Sequence, residues 1–205
     1  MKQYPSFTGE FARGKSYFVF DKLDGSNVRA EWHPKKGFWK FGSKHQLMDE
    51  SSELGKHSIP LIKAQETEVG KILRSQGVTE ATCYFEFCGR NSFAGVHEFA
   101  TDEFTTTLID LSLYKKGFVS PGEFIKWFSG YVPIPLLLHV GNITESLLSS
   151  VRDGTLQGMT FEGIVGKGAP LKNGYPPHMF KYKSAEWIGK VKARYTDPQK
   201  LQELL

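Results

Sequence analysis

Cysteine is scarce in this chain, with two among 205 residues, Cys83 and Cys88. Five positions apart in one apparent strand, they fall on opposite faces, which excludes a disulfide between them. No His or Cys partners stand at zinc spacing, so a structural zinc is not expected. No apolar run reaches membrane-spanning length, and Met1-Lys2-Gln3-Tyr4-Pro5 lacks a signal-peptide core. The expectation is a soluble protein of a reducing cytoplasm, with no membrane partner. Charge of one sign is also limited: 26 Lys and Arg against 22 Asp and Glu leave a net +4. That favours a local anion site over a surface coated in positive charge. No phosphate-binding G-x-x-x-x-G-K-[ST] loop is present. Gly163 to Gly168 has the glycine spacing, but Ala169 follows where lysine is needed. No G-x-G-x-x-G opens a helix. Any use of nucleotides must therefore rest on lysines and carboxylates. No internal repeat, low-complexity tract or clear linker interrupts the chain.

Aromatics, by contrast, are plentiful: 16 Phe, 8 Tyr and 4 Trp in a chain that is 40% hydrophobic. A sizeable, sheet-rich core follows. Alternation marks strands over 16–20, 27–33, 38–41, 81–89 and 105–114. Two more are expected over 160–165 and 178–183, joined by the Gly/Pro-rich stretch 166–177. Residues 131–140 read as an extended edge, because two prolines interrupt them. Helical periodicity covers 57–76, with Pro60 in its first turn, and 143–151. Ser120 caps a short helix over 121–128. Residues 43–56 read as a loop. Residues 184–205 read as two short helices broken near Asp197-Pro198.

Three segments carry candidate chemistry. Lys22-Leu23-Asp24-Gly25 follows a strand, and by itself it fits a polar β-turn as well as a reactive lysine. Phe161-Glu162-Gly163-Ile164-Val165 supplies E-G-x-V. Phe180-Lys181-Tyr182-Lys183 puts two lysines on one strand face. A free lysine has a pKa near ~10.4, so roughly one in 2,500 is neutral at pH 7. A nucleophilic Lys22 needs burial or nearby cations, which Lys181 and Lys183 supply. Asp24 and Glu162 oppose this unless a divalent cation sits near them.

The order and wide separation of these segments resemble motifs I, IV and V of the covalent nucleotidyltransferases. That superfamily comprises ATP-dependent DNA ligases, RNA ligases and mRNA capping enzymes. The RNA-ligase branch is the most similar. Asp21 precedes the nucleophile, and Ser26-Asn27 extends motif I to K-x-D-G-S-N. Gly42-Ser43-Lys44 looks like motif Ia, with Lys44 where the family usually has arginine. Glu86 stands in a motif III-like Tyr84-Phe85-Glu86-Phe87. Ile109 stands in a motif IIIa-like position that usually holds an aromatic.

The resemblance implies an α+β nucleotidyltransferase domain over 1–184, with antiparallel sheets flanked by helices in an ATP-grasp-like ligase core. A short helical extension follows over 185–205, and no room remains after motif V for an OB-fold. It also implies ATP and Mg²⁺, with Mn²⁺ as a substitute. Lys22, Asp24, Glu162, Lys181 and Lys183 are then catalytic, Glu162 and Asp24 also holding metal. Asp21, Asn27, Lys44, Glu86, Ile109 and Val165 contact the nucleotide. The expected activity is RNA ligation through a lysyl-AMP intermediate, by a monomer acting on nucleic-acid ends, RNA before DNA, with a separate partner domain as an open option. A DNA ligase core, a capping guanylyltransferase and a non-catalytic end-binding module are the alternatives.

Overall fold

The computed structural model describes residues 1–7, 10–90, 92–169 and 177–205. Among the described residues, ten strands form two antiparallel sheets. The larger holds β2 (Ser26–His33), β3 (Gly37–Ser43), β4 (Leu47–Met48), β5 (Ala81–Cys88), β6 (Thr105–Leu113) and β7 (Gly117–Phe118). Their order is β4-β3-β2-β5-β6-β7. The smaller holds β1 (Ser16–Lys22), β8 (Leu137–Asn142), β9 (Gly163–Lys167) and β10 (Met179–Lys183), ordered β10-β9-β1-β8. Six helices accompany them: α1 (Glu53–Ala64), α2 (Glu66–Ser75), α3 (Pro121–Phe128), α4 (Glu145–Arg152), α5 (Ala185–Arg194) and α6 (Pro198–Leu204). None of the described helices is long and apolar enough to cross a membrane.

The two-residue period of the strands decides what each face does. On β2, Val28, Ala30 and Trp32 point into a core shared with Ile59, Ile62, Leu73, Phe124 and Phe128 of α1 to α3. The opposite face of β2 carries Asn27, Arg29 and Glu31. In the smaller sheet Tyr17, Val19, Ile164 and Phe180 bury against Val151 of α4. Their neighbours Phe20, Lys22, Val165, Lys167, Lys181 and Lys183 face the other way, into a cavity between the sheets. A third cluster joins Trp187 and Val191 of α5 to Ala94 and Phe161.

Several boundaries differ from expectation. The helix expected over 57–76 is two helices that meet at Gln65, whose side-chain amide donates to Thr106 O and Oγ1, each at 2.8 Å. The first begins at Glu53 because the Ser52 hydroxyl accepts from the Gly55 amide at 3.1 Å. Pro60 therefore sits inside α1, not in its first turn. The expected 43–56 loop accordingly contains β4 and the start of α1. Strand β9 runs over 163–167, not 160–165, because the ends of residues 160–162 bond elsewhere. Thr160 donates its amide and hydroxyl to Asp21 at 2.9 Å each, and Ser184 donates to the Phe161 and Glu162 carbonyls at 2.7 and 3.0 Å. Of the joining stretch expected over 166–177, Gly166 and Lys167 belong to β9, and 170–176 lie outside the described residues. Gly163, at φ +140°, has room for no side chain: a Cβ there would stand 2.1 Å from the Tyr182 carbonyl oxygen. The glycine of E-G-x-V is what lets β9 and β10 pair beside Glu162.

Candidate active site

Lys22 is the last residue of β1, and Glu162 immediately precedes β9, which pairs with both β1 and β10. The register sets Lys22 and Lys183 opposite Gly163 from its two sides. Glu162 is thus flanked by two ammonium groups. Lys22 Nζ donates to Oε2 at 2.9 Å, and Lys183 Nζ pairs with Oε1 at 2.9 Å. Only 3% of Glu162 is exposed, so the contacts stand in a poorly solvated setting. Lys183 also donates to the Leu204 carbonyl of α6 and lies 3.6 Å from the Trp187 ring centroid.

These residues open on a cavity of about 630 Å³ between the sheets, within the size range of ligand sites. Asp21, Asn27, Lys44, Glu86, Ile109, Val165 and Lys181 also line it. Asp21 holds the amide and hydroxyl of Thr160 and so fixes the chain that leads into Glu162. The Asn27 side-chain oxygen is buried with no hydrogen-bond partner among the described residues. A buried, orphaned acceptor on a cavity wall fits a donor on a bound ligand, such as the amino group of adenine or a ribose hydroxyl. The cavity size and six lysines on its walls (Lys22, Lys44, Lys167, Lys181, Lys183 and Lys200) fit a nucleoside triphosphate.

Asp24 is not drawn into this cavity. Its carboxylate accepts from the Phe93 and Ala94 amides at 3.3 Å each, and His97 Nε2 lies 3.5 Å away. Asp24 anchors the 92–97 loop to the β1–β2 turn. Among the described residues no cluster of three His, Cys, Asp or Glu could hold a metal ion alone. The carboxylates on the cavity wall nearest Lys22 are Glu86 and Glu162. They are the protein oxygens that would hold a divalent cation, the remaining ligands being phosphate and water.

The electrostatics are strongly coupled. For Lys22, burial lowers the pKa, but Glu162, Glu86 and Asp24 outweigh it and hold the amine above its ordinary value. Lys183 goes the other way: burial dominates and brings it down to about 8. Burial, then the charge of Lys22, also lowers Lys181. Glu86 is pushed up to about 8 by burial, with Lys22 opposing and Glu162 adding to the rise. The folded state therefore holds a Glu86 proton that the unfolded chain releases near its ordinary pKa of 4.5. Stability should fall as pH rises from about 4.5 to about 8. Glu86→Gln is expected to flatten that slope, with a gain on the order of 1–3 kcal/mol at pH 8. Denaturant titrations at pH 5 and pH 8 check this; an unchanged slope would refute the assignment.

Sequence reasoning missed Lys167. It is buried, pairs with Asp110 at 2.9 Å, and donates to the Ile109 carbonyl at 2.6 Å. It follows Val165 by two positions on the same strand face, so alternation extended one step beyond E-G-x-V would have found it. Tyr4, Pro5 and Ser6 at one end of the chain and Lys200 and Leu204 at the other also line the cavity, with no local signal to mark them.

No family model matches this chain, and no curated protein matches it by sequence. Solved structures do. An arginine-to-alanine mutant of the Naegleria gruberi RNA ligase, with ATP and Mn, matches at TM-score 0.64 and 16% identity, over 93% of this chain and 60% of that one. The same ligase with PPi matches at 0.62 and 18% identity, over 89% and 53%. A lysine-to-alanine mutant with ATP and Mn matches at 0.61 and 16%, over 88% and 52%. The chain spans a little over half the length of these proteins. Its fold, a mixed α/β domain built on two antiparallel sheets, is similar to the fold of this RNA ligase.

Proposed function

We propose that the chain is an ATP-dependent ligase of RNA ends, working through a covalent Lys22–AMP intermediate. The observation that carries this reading is the Lys22–Glu162–Lys183 triad, which unites three motifs distant in sequence on the wall of one cavity. Lys22 attacks the α-phosphorus of ATP. An N–P bond forms, the bond to the β-phosphate breaks, and pyrophosphate leaves. Lys181 and Lys183 stabilise the charge that develops on the departing oxygens. Val165 and Ile109 sandwich the base, and Asn27 accepts from it or from the ribose. Mg²⁺ or Mn²⁺, when bound, offsets phosphate charge and the pull of Glu86 and Glu162 on the Lys22 proton. AMP then passes to a 5′-phosphate, and a 3′-hydroxyl displaces it. In this reading residues 1–184 form the nucleotidyltransferase domain and 185–205 an extension that covers one side of the cavity.

Preference for RNA rests on the Ser26-Asn27 extension of motif I and on the resemblance of the fold to an RNA ligase. The test uses adenylylated protein and matched nicks differing only in the sugars on the 3′-hydroxyl side, since 2′-hydroxyls are what distinguish RNA there. Faster sealing of the RNA nick is the expected result. Equal or faster sealing of the all-DNA nick would move the chain to the DNA-ligase branch.

A further inference from the structure

The tetrapeptide Lys-Lys-Gly-Phe occurs at both 35–38 and 115–118. Each copy closes a hairpin of the larger sheet, β2–β3 and β6–β7. Register brings both turns to one end of that sheet: Trp32 stands opposite Ala81, and Ala81 opposite Leu113. With only β5 between β2 and β6, the turns lie two strand spacings apart, about 10 Å.

Each hairpin carries an exposed aromatic ring close to its turn. Trp39 is 47% exposed and Tyr114 58%, and neither belongs to a core cluster. Lysines stand over both: Lys36 Nζ is 4.4 Å from the Trp39 centroid, and Lys115 Nζ 5.2 Å from that of Tyr114. Between the turns opens a second cavity of about 560 Å³, separate from the one that holds Lys22. Lys2, Lys36 and Lys115 line it, with Lys35, Lys40 and Lys116 next to them in sequence, against Glu31 and Glu80 on its wall and Glu66, which accepts from the Phe38 amide at 2.6 Å. Glu31 is already paired with the Met1 amine at 3.1 Å. Lysines therefore outnumber carboxylates at this rim.

We propose that this rim binds a single-stranded stretch of nucleic acid, with its backbone along Lys36 and Lys115 and two bases stacked on Trp39 and Tyr114. Cations interleaved with exposed aromatic faces suit a strand whose bases are unpaired and whose backbone is anionic. Strand β2 spans about 23 Å from Ser26 beside the reactive lysine to His33 at the rim, or roughly seven stacked nucleotides. The rim thus grips the strand well away from the end being joined. Its ligand rests on the ligase reading; its location does not.

The test is fluorescence anisotropy of a labelled single-stranded RNA of about ten nucleotides at several salt concentrations. It compares wild type with Lys36→Ala/Lys115→Ala and with Trp39→Ala/Tyr114→Ala. Transfer of label from α-labelled ATP to each protein is followed in parallel. The lysine variant is expected to show a log–log salt slope shallower by about 1.4. The aromatic variant is expected to bind about tenfold more weakly or worse. Both should adenylylate at the wild-type rate. Unchanged RNA binding in the two variants would overturn the rim, and so would an equal loss by the aromatic variant for a duplex of the same length. If wild type fails to take label from ATP, the ligase reading falls, while the binding comparison still decides the rim.

Discussion

Lys22→Ala is expected to abolish transfer of AMP from α-labelled ATP, with no label on a denaturing gel and no gain of one AMP by intact mass. The loss should be complete, because no other group among the described residues combines this burial with this position. Lys181 and Lys183 share the cavity, but Lys183 is held by Glu162, by the Leu204 carbonyl and by the Trp187 ring. The fold should persist, since Lys183 continues to neutralise Glu162. Lys22→Arg should fail as fully as alanine, because guanidinium stays protonated and cannot attack phosphorus. Wild type is expected to label with ATP and not with GTP. Label that survives either substitution, or a preference for GTP, would remove Lys22 from the centre of the mechanism.

Glu162→Gln should be nearly as damaging, for another reason. Glu162 is the common counterion of two lysines, both at 2.9 Å, and glutamine leaves two cations facing each other beside an uncharged amide. Breaking a buried pair in this way costs about 3–5 kcal/mol where no rearrangement relieves it. Loss of positioning and charge at the reacting phosphate adds about 10²-fold or more in rate. The pH response separates these effects. Glu162 raises the Lys22 pKa, so the residual activity of the glutamine variant should reach its plateau at lower pH than wild type. Single-turnover adenylylation from pH 6 to 10 measures this. A plateau that stays put, or moves to higher pH, would show that Glu162 does not control the Lys22 proton.

Most strands of both sheets and much of the cavity wall were legible in the sequence because they rest on local rules. A period of two identified β1, β2, β5, β6 and β10, and it placed Lys181 and Lys183 on one face. Ser120 and the Asp197-Pro198 break located their helices through capping and proline chemistry. What stayed hidden depends on contacts between distant segments. The hydrogen bond from Lys22 to Glu162 spans 140 residues, and register alone brings the two together. Asp24 was read with the metal because carboxylates near a nucleophile suggest one. The amides that claim it come from a loop 69 and 70 residues further on. Gln65 splits a helix that periodicity carries straight through, because its side chain serves Thr106 across 41 residues. The pairing of Lys167 with Asp110 needs the two sheets to face each other, a relation no window of sequence contains.

Among the described residues, the chain passes between its two sheets only twice. One passage is the long stretch from Val119 to Leu136 that includes α3; the other is three residues, Leu23-Asp24-Gly25. Lys22 is the last rung of one sheet, and Ser26 is the first rung of the other. Gly25 has no slack, since a Cβ there would meet the Phe87 carbonyl at 2.4 Å. In the proposed mechanism the Lys22 amine therefore stands at the shortest link between the two walls of the cavity. A ligand that fills the cavity would, in that reading, touch both sheets at the one place where three residues join them.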